Sequence, residues 1–279
     1  MTDSRETKQK LSDDDFDFVC NYVYKKSRIV LSDTKREMVY RRFTRIIRDR
    51  HLESFSDYCQ LLRSDPDGEE RYFINAVTTN LTSFFREEHH FDYLAQHELP
   101  NLIKKGSKRM RIWCSASSTG EEPYSIAMTV KESLKSLLNS WDVKILATDI
   151  DSNVLNTGKE GIYEYKGVED IPEHLVKKYF SRGMGINSNK VKTTPDIQSL
   201  ITFKELNLMN EWPMKGPFDV IFCRNVLIYF DKKTQLELFE RFHNLLAPNG
   251  LLILGHSENL GVFQQHFENV GRTIFRKLN

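Results

Sequence analysis

Much that would staple, anchor or charge-steer a chain is missing from this one. Its 279 residues include only four cysteines, Cys20, Cys59, Cys114 and Cys223, which lie 39, 55 and 109 residues apart. No Cys-x-x-Cys occurs, which excludes a zinc ribbon or a thioredoxin-type redox pair. Cys114 and Cys223 each sit inside an apolar run and read as small core residues, in keeping with a cytoplasmic compartment. Aliphatic runs stop at four or five residues, as at Leu251 to Leu254. That is far short of the roughly 20 apolar residues a membrane-crossing helix needs. The N-terminal stretch from Met1 to Asp15 is polar and has no apolar centre, so no secretory signal is expected. Charge of one sign is also lacking: 40 Lys and Arg face 39 Asp and Glu. A chain that seeks polyanions by overall charge is excluded, although a local basic face is not. What is present is 39% apolar residues, with 18 Phe and 11 Tyr, enough for real cores and against wholesale disorder.

The periodicity changes partway along the chain. From residue 12 to about 80 it is helical throughout. Ser12 with Asp15 approximates a capping box ahead of Phe16, Val19, Cys20 and Val23. A second helix is predicted from Thr34 to Arg50, with Val39, Phe43, Ile46 and Ile47 as its apolar stripe. A third, Ser54 to Arg63, buries Phe55, Tyr58, Cys59 and Leu62. Asp65-Pro66-Asp67-Gly68 reads as a turn before a fourth helix carrying Tyr72, Phe73, Ala76 and Val77. Nothing here has period 2, so a small helical bundle is expected. A helix from Glu87 to Lys105 joins the halves. Strands are then predicted at 110–114, 143–148, 200–206, 218–223 and 251–254, with a terminal strand at 271–278. A helix at 233–246 lies among them. The alternation indicates α/β architecture, an open and mostly parallel sheet with helices on both faces. Residues 161–199 break the alternation. Turn residues at 182–185 and 187–189 suggest an inserted small hairpin behind a short helix at 172–179. The division expected is 1–86 for the helical part and linker and 87–279 for the sheet domain, with the insertion at about 161–199.

In open α/β sheets ligands bind beyond the carboxyl ends of the strands. After the first strand comes Ser115-Ala116-Ser117-Ser118-Thr119-Gly120-Glu121-Glu122-Pro123, whose small residues let backbone approach a ligand. Its single glycine is not the G-x-G-x-x-G of nicotinamide enzymes, and no Gly-Lys-Ser/Thr occurs, so it is not a phosphate-cradling loop. Two carboxylates there suit hydroxyls or a cation. After the second strand, Asp149 and Asp151 offer an acid for the hydroxyls of a ribose, or a helix cap. After the third, the Asn207 amide could read a base edge, with Leu208 beside it. After the fourth come Arg224, Asn225 and the run from Val226 to Phe230. Together these tips describe a nucleoside with a cationic appendage, which S-adenosylmethionine fits.

Five motifs then stand in order: Asn80 to Glu87, Ala116 to Ser125, Thr148 to Asp151, Phe222 to Phe230, and Gly255-His256-Ser257-Glu258. From residue 12 to 277 the chain resembles the CheR family of chemotaxis receptor methyltransferases. The resemblance implies an N-terminal all-α bundle, then a doubly wound, Rossmann-like S-adenosylmethionine methyltransferase domain with a small antiparallel β-subdomain. It implies transfer of the cofactor's methyl to glutamate carboxylates on cytoplasmic helices of chemoreceptors, leaving S-adenosylhomocysteine. By motif position Asn80, Thr82, Arg86, Glu122, Asp149, Asn207, Leu208, Arg224 and Asn225 would form the cofactor shell, with Arg86 and Tyr229 near the transferred methyl. The loop Arg182-Gly183-Met184-Gly185 resembles one that docks a receptor's C-terminal peptide in some members. A carboxylate acceptor is ionised at pH 7 and needs no general base, and no Ser-His-Asp or Cys-His set is evident.

The second helix adds a candidate partner surface. Between Thr34 and Arg50 seven basic residues face two acids, and Arg41, Arg45 and Arg48 gather opposite Val39, Phe43 and Ile46. This is either a solvated face or a guide for acidic receptor helices. His89, His90 and His256 lack carboxylates at matched spacing and read as surface or capping residues, so no metal is expected. A nucleic-acid methyltransferase and a non-enzymatic adenosyl sensor are the rival readings. Neutral overall charge opposes the first, and the retained Arg86, Glu122, Asp149 and Tyr229 oppose the second. A cytoplasmic monomer recruited to membrane receptor arrays is expected, with no nucleic-acid partner and no membrane insertion.

Overall fold

The structure, a computed structural model, describes residues 11–278; most of the polar N-terminal stretch lies outside them. Four helices come first: α1 (Asp13–Ser27), α2 (Arg36–Asp49), α3 (Phe55–Ser64) and α4 (Pro66–Val77). The Ser12 hydroxyl accepts from the Asp15 amide, as the capping pattern indicates. The expected turn at 65–68 is instead the start of α4. Asp65 caps it by accepting from the Gly68 amide, and Pro66 takes the first helical position, where a missing N–H costs nothing. The four helices bury Phe16, Val23, Phe43, Tyr58 and Phe73 in one cluster. On α2 it is Ile47 that enters this core, while Ile46 is only half-buried against it. Arg42, in the middle of α2, donates to the carbonyls of Ala76 and Thr78 and so secures the exit of α4.

The joining helix begins later than expected. It runs as α5 (His89–Tyr93), a π-helical stretch (Leu94–Glu98) and α6 (Leu99–Lys104). The sheet domain follows as β1 (Arg109–Cys114), α7 (Glu121–Leu134), β2 (Asp142–Asp149), α8 (Ser152–Glu160), β3 (Ile162–Glu164), α9 (Glu173–Tyr179), β4 (Phe180–Arg182), β5 (Lys190–Thr193), α10 (Pro195–Gln198), β6 (Ile201–Glu205), β7 (Phe218–Cys223), α11 (Lys232–Leu245), β8 (Leu246–Leu254), β9 (Phe267–Gly271) and β10 (Ile274–Lys277). The large sheet has the order β6-β2-β1-β7-β8-β10-β9. Its first five strands are parallel, and β10 and β9 close it antiparallel. The single terminal strand expected is therefore a hairpin, turned at Arg272-Thr273. Both faces are covered, so alternate residues serve two cores. Ile112, Phe222 and Ile253 pack on one side, and Trp113, Ile221 and Leu252 on the other.

The insertion is a three-stranded antiparallel sheet, β3-β5-β4, rather than a hairpin. Ile162–Glu164 pairs with residues 190–192 across 25 intervening residues, and a three-residue strand leaves no period to read. Among the described residues no helix is long and apolar enough to cross a membrane.

Candidate functional site

The strand order reverses between β1 and β7, and a crevice opens there at their carboxyl ends. The helical bundle caps it. The Val30 amide donates to the Tyr229 carbonyl at 2.8 Å, and Tyr24 donates to Asp231 at 2.7 Å. Ile29 forms an isolated bridge with Phe230. The result is a cleft of about 1130 Å³, open to solvent, between bundle and sheet. It brings together Asn80, Thr82, Arg86, Glu122, Asp149, Asn207, Leu208, Arg224, Asn225 and Tyr229. Its other wall, Ser27, Ile29, Val30 and Leu31 with Lys35 and Met38, belongs to the bundle. No motif announced that wall, because it forms only when the end of α1 and residues 29–30 dock on the loop after β7.

The loop after β1 turns tightly into α7. Gly120 has φ +100°, and a Cβ there would meet Gly158 Cα and the Tyr163 hydroxyl, each at 2.9 Å. The Ser118 amide donates to Asp149 Oδ2 at 2.8 Å, and the Asp151 amide to Asp149 Oδ1 at 3.0 Å. Asp149 is 7% exposed, and its burial pushes its pKa up to about 6, against the backbone donors that lower it. With the Ile150 amide as a third backbone donor, the carboxylate still keeps spare acceptor capacity, as an acceptor of ribose hydroxyls requires.

Asp151 has a different task. Its Oδ2 accepts from Thr78 Oγ1 at 2.7 Å and Asn80 Nδ2 at 2.8 Å, while its Oδ1 caps α8. It latches the segment leaving the bundle to the tip of β2. The Asn80 amide is thereby used within the protein. The same holds for Asn207, whose amide donates to the Lys26 carbonyl at 2.8 Å and accepts from the Met209 amide at 2.9 Å. Asn207 lies at the cleft as expected, but its side chain joins bundle to sheet instead of offering a free base-reading edge.

Glu122 takes the Cys114 thiol on Oε1 at 2.9 Å and Arg224 Nη1 on Oε2 at 2.7 Å. Arg224 also donates to the Arg86 carbonyl and lies 3.5 Å from Glu87. Burial raises the pKa of Glu87, but Arg224, His256 and Asn225 outweigh it and hold the group near 2. His90 is fully buried, which corrects its reading as a surface or capping residue. Its burial, with Arg224 nearby, lowers its pKa to about 3, so the ring is neutral. Glu87, His89 and His90 bring ligand atoms within 4.8 Å of one another, so a carboxylate does stand beside these histidines, against the sequence reading that none was matched to them. The Arg224 guanidinium already serves as the cation beside Glu87.

Arg86 differs from Arg224. Its Nη1 donates to the Leu81 carbonyl at 2.8 Å, and it has no carboxylate partner among the described residues. It is a cleft cation with donors to spare. Arg41, Arg45 and Arg48 are exposed on α2, outside this cleft, with Arg41 and Arg45 only loosely paired to Glu37 and Asp49 at 3.6 and 3.8 Å.

Comparison with known proteins fits this arrangement. Residues 80–276 match the family model of the CheR methyltransferase, SAM binding domain, and residues 14–78 match that of the CheR methyltransferase, all-alpha domain. A doubly wound sheet with this cleft, in a chain matching a SAM-binding model, defines an S-adenosylmethionine-dependent methyltransferase. The chain is 43% identical over 267 residues to the chemotaxis protein methyltransferase of Escherichia coli, covering 95% of this chain and 91% of that protein. It is 43% identical to chemotaxis protein methyltransferase 2 of Pseudomonas aeruginosa, over 94% of this chain and 92% of that one. It is 36% identical to the Borreliella burgdorferi chemotaxis protein methyltransferase, over 90% and 89%. The chain belongs to the CheR methyltransferase family.

Proposed function

We propose that this enzyme methylates glutamate side chains on the cytoplasmic helices of chemoreceptors, forming methyl esters in chemotactic adaptation. The observation that carries the reading is the cleft itself. It holds an acid with spare acceptor capacity (Asp149) and a cation with no acid partner among the described residues (Arg86) in one cleft walled on one side by the bundle. Relatives covering nearly the whole chain carry the name chemotaxis protein methyltransferase. S-adenosylmethionine, when bound, supplies a methyl group on a sulfonium. Asp149 takes the ribose hydroxyls, and Glu122 with Arg224 faces the polar end of the amino-acid moiety. Asn80, Thr82, Asn207, Leu208 and Asn225 complete the shell, Asn80 and Asn207 by holding backbone in place. Arg86 orients a carboxylate, and Tyr229 lines the methyl channel. The acceptor is already ionised, so the residues supply position and exclude water rather than remove a proton.

Arg41, Arg45 and Arg48 form the docking face for acidic receptor helices. The loop at 182–185 takes a receptor tether peptide, and Met184 in it is almost fully exposed. We place the boundary between helical part with linker and catalytic domain at residue 86, and propose a monomer recruited to receptor arrays. The test is a radiolabelled methyl assay on receptor-containing membranes. Base-labile label released as methanol supports a glutamate ester. Label that withstands base, or that appears on nucleic acid, refutes it.

A further inference from the structure

The motif Gly255-His256-Ser257-Glu258 lies outside the cofactor shell, yet its last residue is buried behind the loop that carries Arg224, Asn225 and Tyr229. Glu258 is 6% exposed, four residues past the end of β8 at Leu254. Its Oε2 accepts from the Gly255 amide at 2.7 Å and the Asn225 amide at 2.9 Å. Its Oε1 accepts from the Leu227 amide at 2.8 Å, and the Ile228 amide also bonds to the carboxylate. One buried carboxylate thus gathers three donors of the 225–228 segment, Asn225, Leu227 and Ile228, and one of its own turn. No cation pairs with Glu258 among the described residues, so backbone dipoles alone offset its charge.

Asn225 has φ +57°, a left-handed conformation that Asn adopts more readily than most non-glycine residues, and the amide turned by it is the one that Glu258 accepts from. Gly255 is required on the opposite side. A Cβ there would lie 2.4 Å from Asn225 Nδ2, 2.8 Å from its amide nitrogen and 2.9 Å from Glu258 Oε2. Arg224 is held separately by Glu122 and Glu87, ahead of the gripped segment. What depends on Glu258 is the path from Asn225 to Ile228, and hence where Tyr229 points.

We infer that Glu258 is a positioning residue for methyl transfer, a carboxylate clamp that sets the 225–228 loop and through it Tyr229. The inference rests on the reading of Tyr229 as lining the methyl site. E258Q tests it with almost no change in size. Both carboxylate oxygens are occupied by N–H donors, so either orientation of the amide points its NH2 at one of them. Steady-state kinetics and isothermal titration with S-adenosylmethionine, well below the melting temperature, should show kcat reduced at least tenfold. Cofactor Kd should weaken by much less than kcat falls, because Arg224 keeps its partners even though Asn225, in the cofactor shell, is among the gripped residues. E258D, which retains the charge on a shorter stem, should recover part of the loss; if E258Q does not fold, E258D alone should still show the kcat-selective defect. A Y229F background separates the links: there E258Q should cost much less than it does alone. Wild-type kcat in E258Q or E258D overturns the clamp. So does a loss of kcat and cofactor affinity in equal proportion, or an E258Q loss that is undiminished in Y229F. Wild-type kcat in Y229F alone sinks the reading of the methyl site, and the route through Tyr229 with it.

Discussion

Replacing Asp149 by Asn should move stability and cofactor affinity in opposite directions. In the folded protein burial raises the Asp149 pKa from the ordinary 3.8 to about 6. A shift of about 2 units corresponds to about 3 kcal/mol of preference for the protonated form. For an acid with a raised pKa the associated stability is complete below 3.8 and is lost as pH rises through about 6. At pH 7.5 the unliganded wild type therefore bears the full cost of an ionised, buried Asp149. Asn removes that cost. Its NH2 must face the Ser118 or the Asp151 amide, which removes about 1–2 kcal/mol of hydrogen bonding in return. The unliganded D149N protein should thus be about 1–2 kcal/mol more stable at pH 7.5, and the advantage should vanish near pH 4. Binding should go the other way. Charge-assisted bonds to two ribose hydroxyls are worth about 1.5–3 kcal/mol each, against less for a neutral amide. A net loss of about 3 kcal/mol weakens Kd roughly 100-fold. Urea unfolding of both proteins from pH 4 to 8, with titration calorimetry at pH 7.5, measures both effects. Wild-type cofactor affinity should also weaken as pH drops below about 6. A stability difference that does not change between pH 4 and 7, or near-normal binding by D149N, would refute the reasoning.

Three further outcomes are expected. R86A should lower kcat about 100-fold or more, yet cost no more than about 1 kcal/mol of stability, since one bond to the Leu81 carbonyl is all that is lost; equal turnover by variant and wild type removes Arg86 from the mechanism. R224M strands Glu122 as a buried charge and takes a cation from Glu87, which keeps only His256 and Asn225, and should destabilise the protein by about 3–5 kcal/mol in urea at pH 7.5; a change below about 1 kcal/mol means these carboxylates are better solvated than the packing indicates. The pair R41E/R45E should cut kcat/KM on receptor membranes about tenfold at low salt, with the gap closing above roughly 0.5 M salt, while leaving cofactor Kd unchanged. Salt-independent turnover makes that face a solvated surface.

Local chemistry by itself determined the α/β class, the all-helical first half and the family. Strands buried on both faces read as unbroken apolar runs, and the residues at their tips line the cleft, so Glu122, Asp149 and Arg224 stand next to recognisable strands. Even the Ser12 cap was legible, because it acts over three residues. What failed was whatever depends on pairing distant segments. The β3–β5 contact spans 25 intervening residues with three-residue strands, and the final hairpin hid its turn at Arg272-Thr273. Asp65 to Gly68 was ambiguous because a turn and a capped helix start use the same residues. Only the tertiary structure decided how the site residues divide their work. It turned the Asn80 and Asn207 amides inward, buried His90 neutral, made Asp151 a latch and left Arg86 with donors to spare. The physical reason is that a hydrogen-bond partner is chosen by proximity in space: partners that fix Asn80, Asp151, Asn207 and His90 lie 71 to 183 residues away in the chain, whereas the Leu81 carbonyl that Arg86 uses is only five residues back.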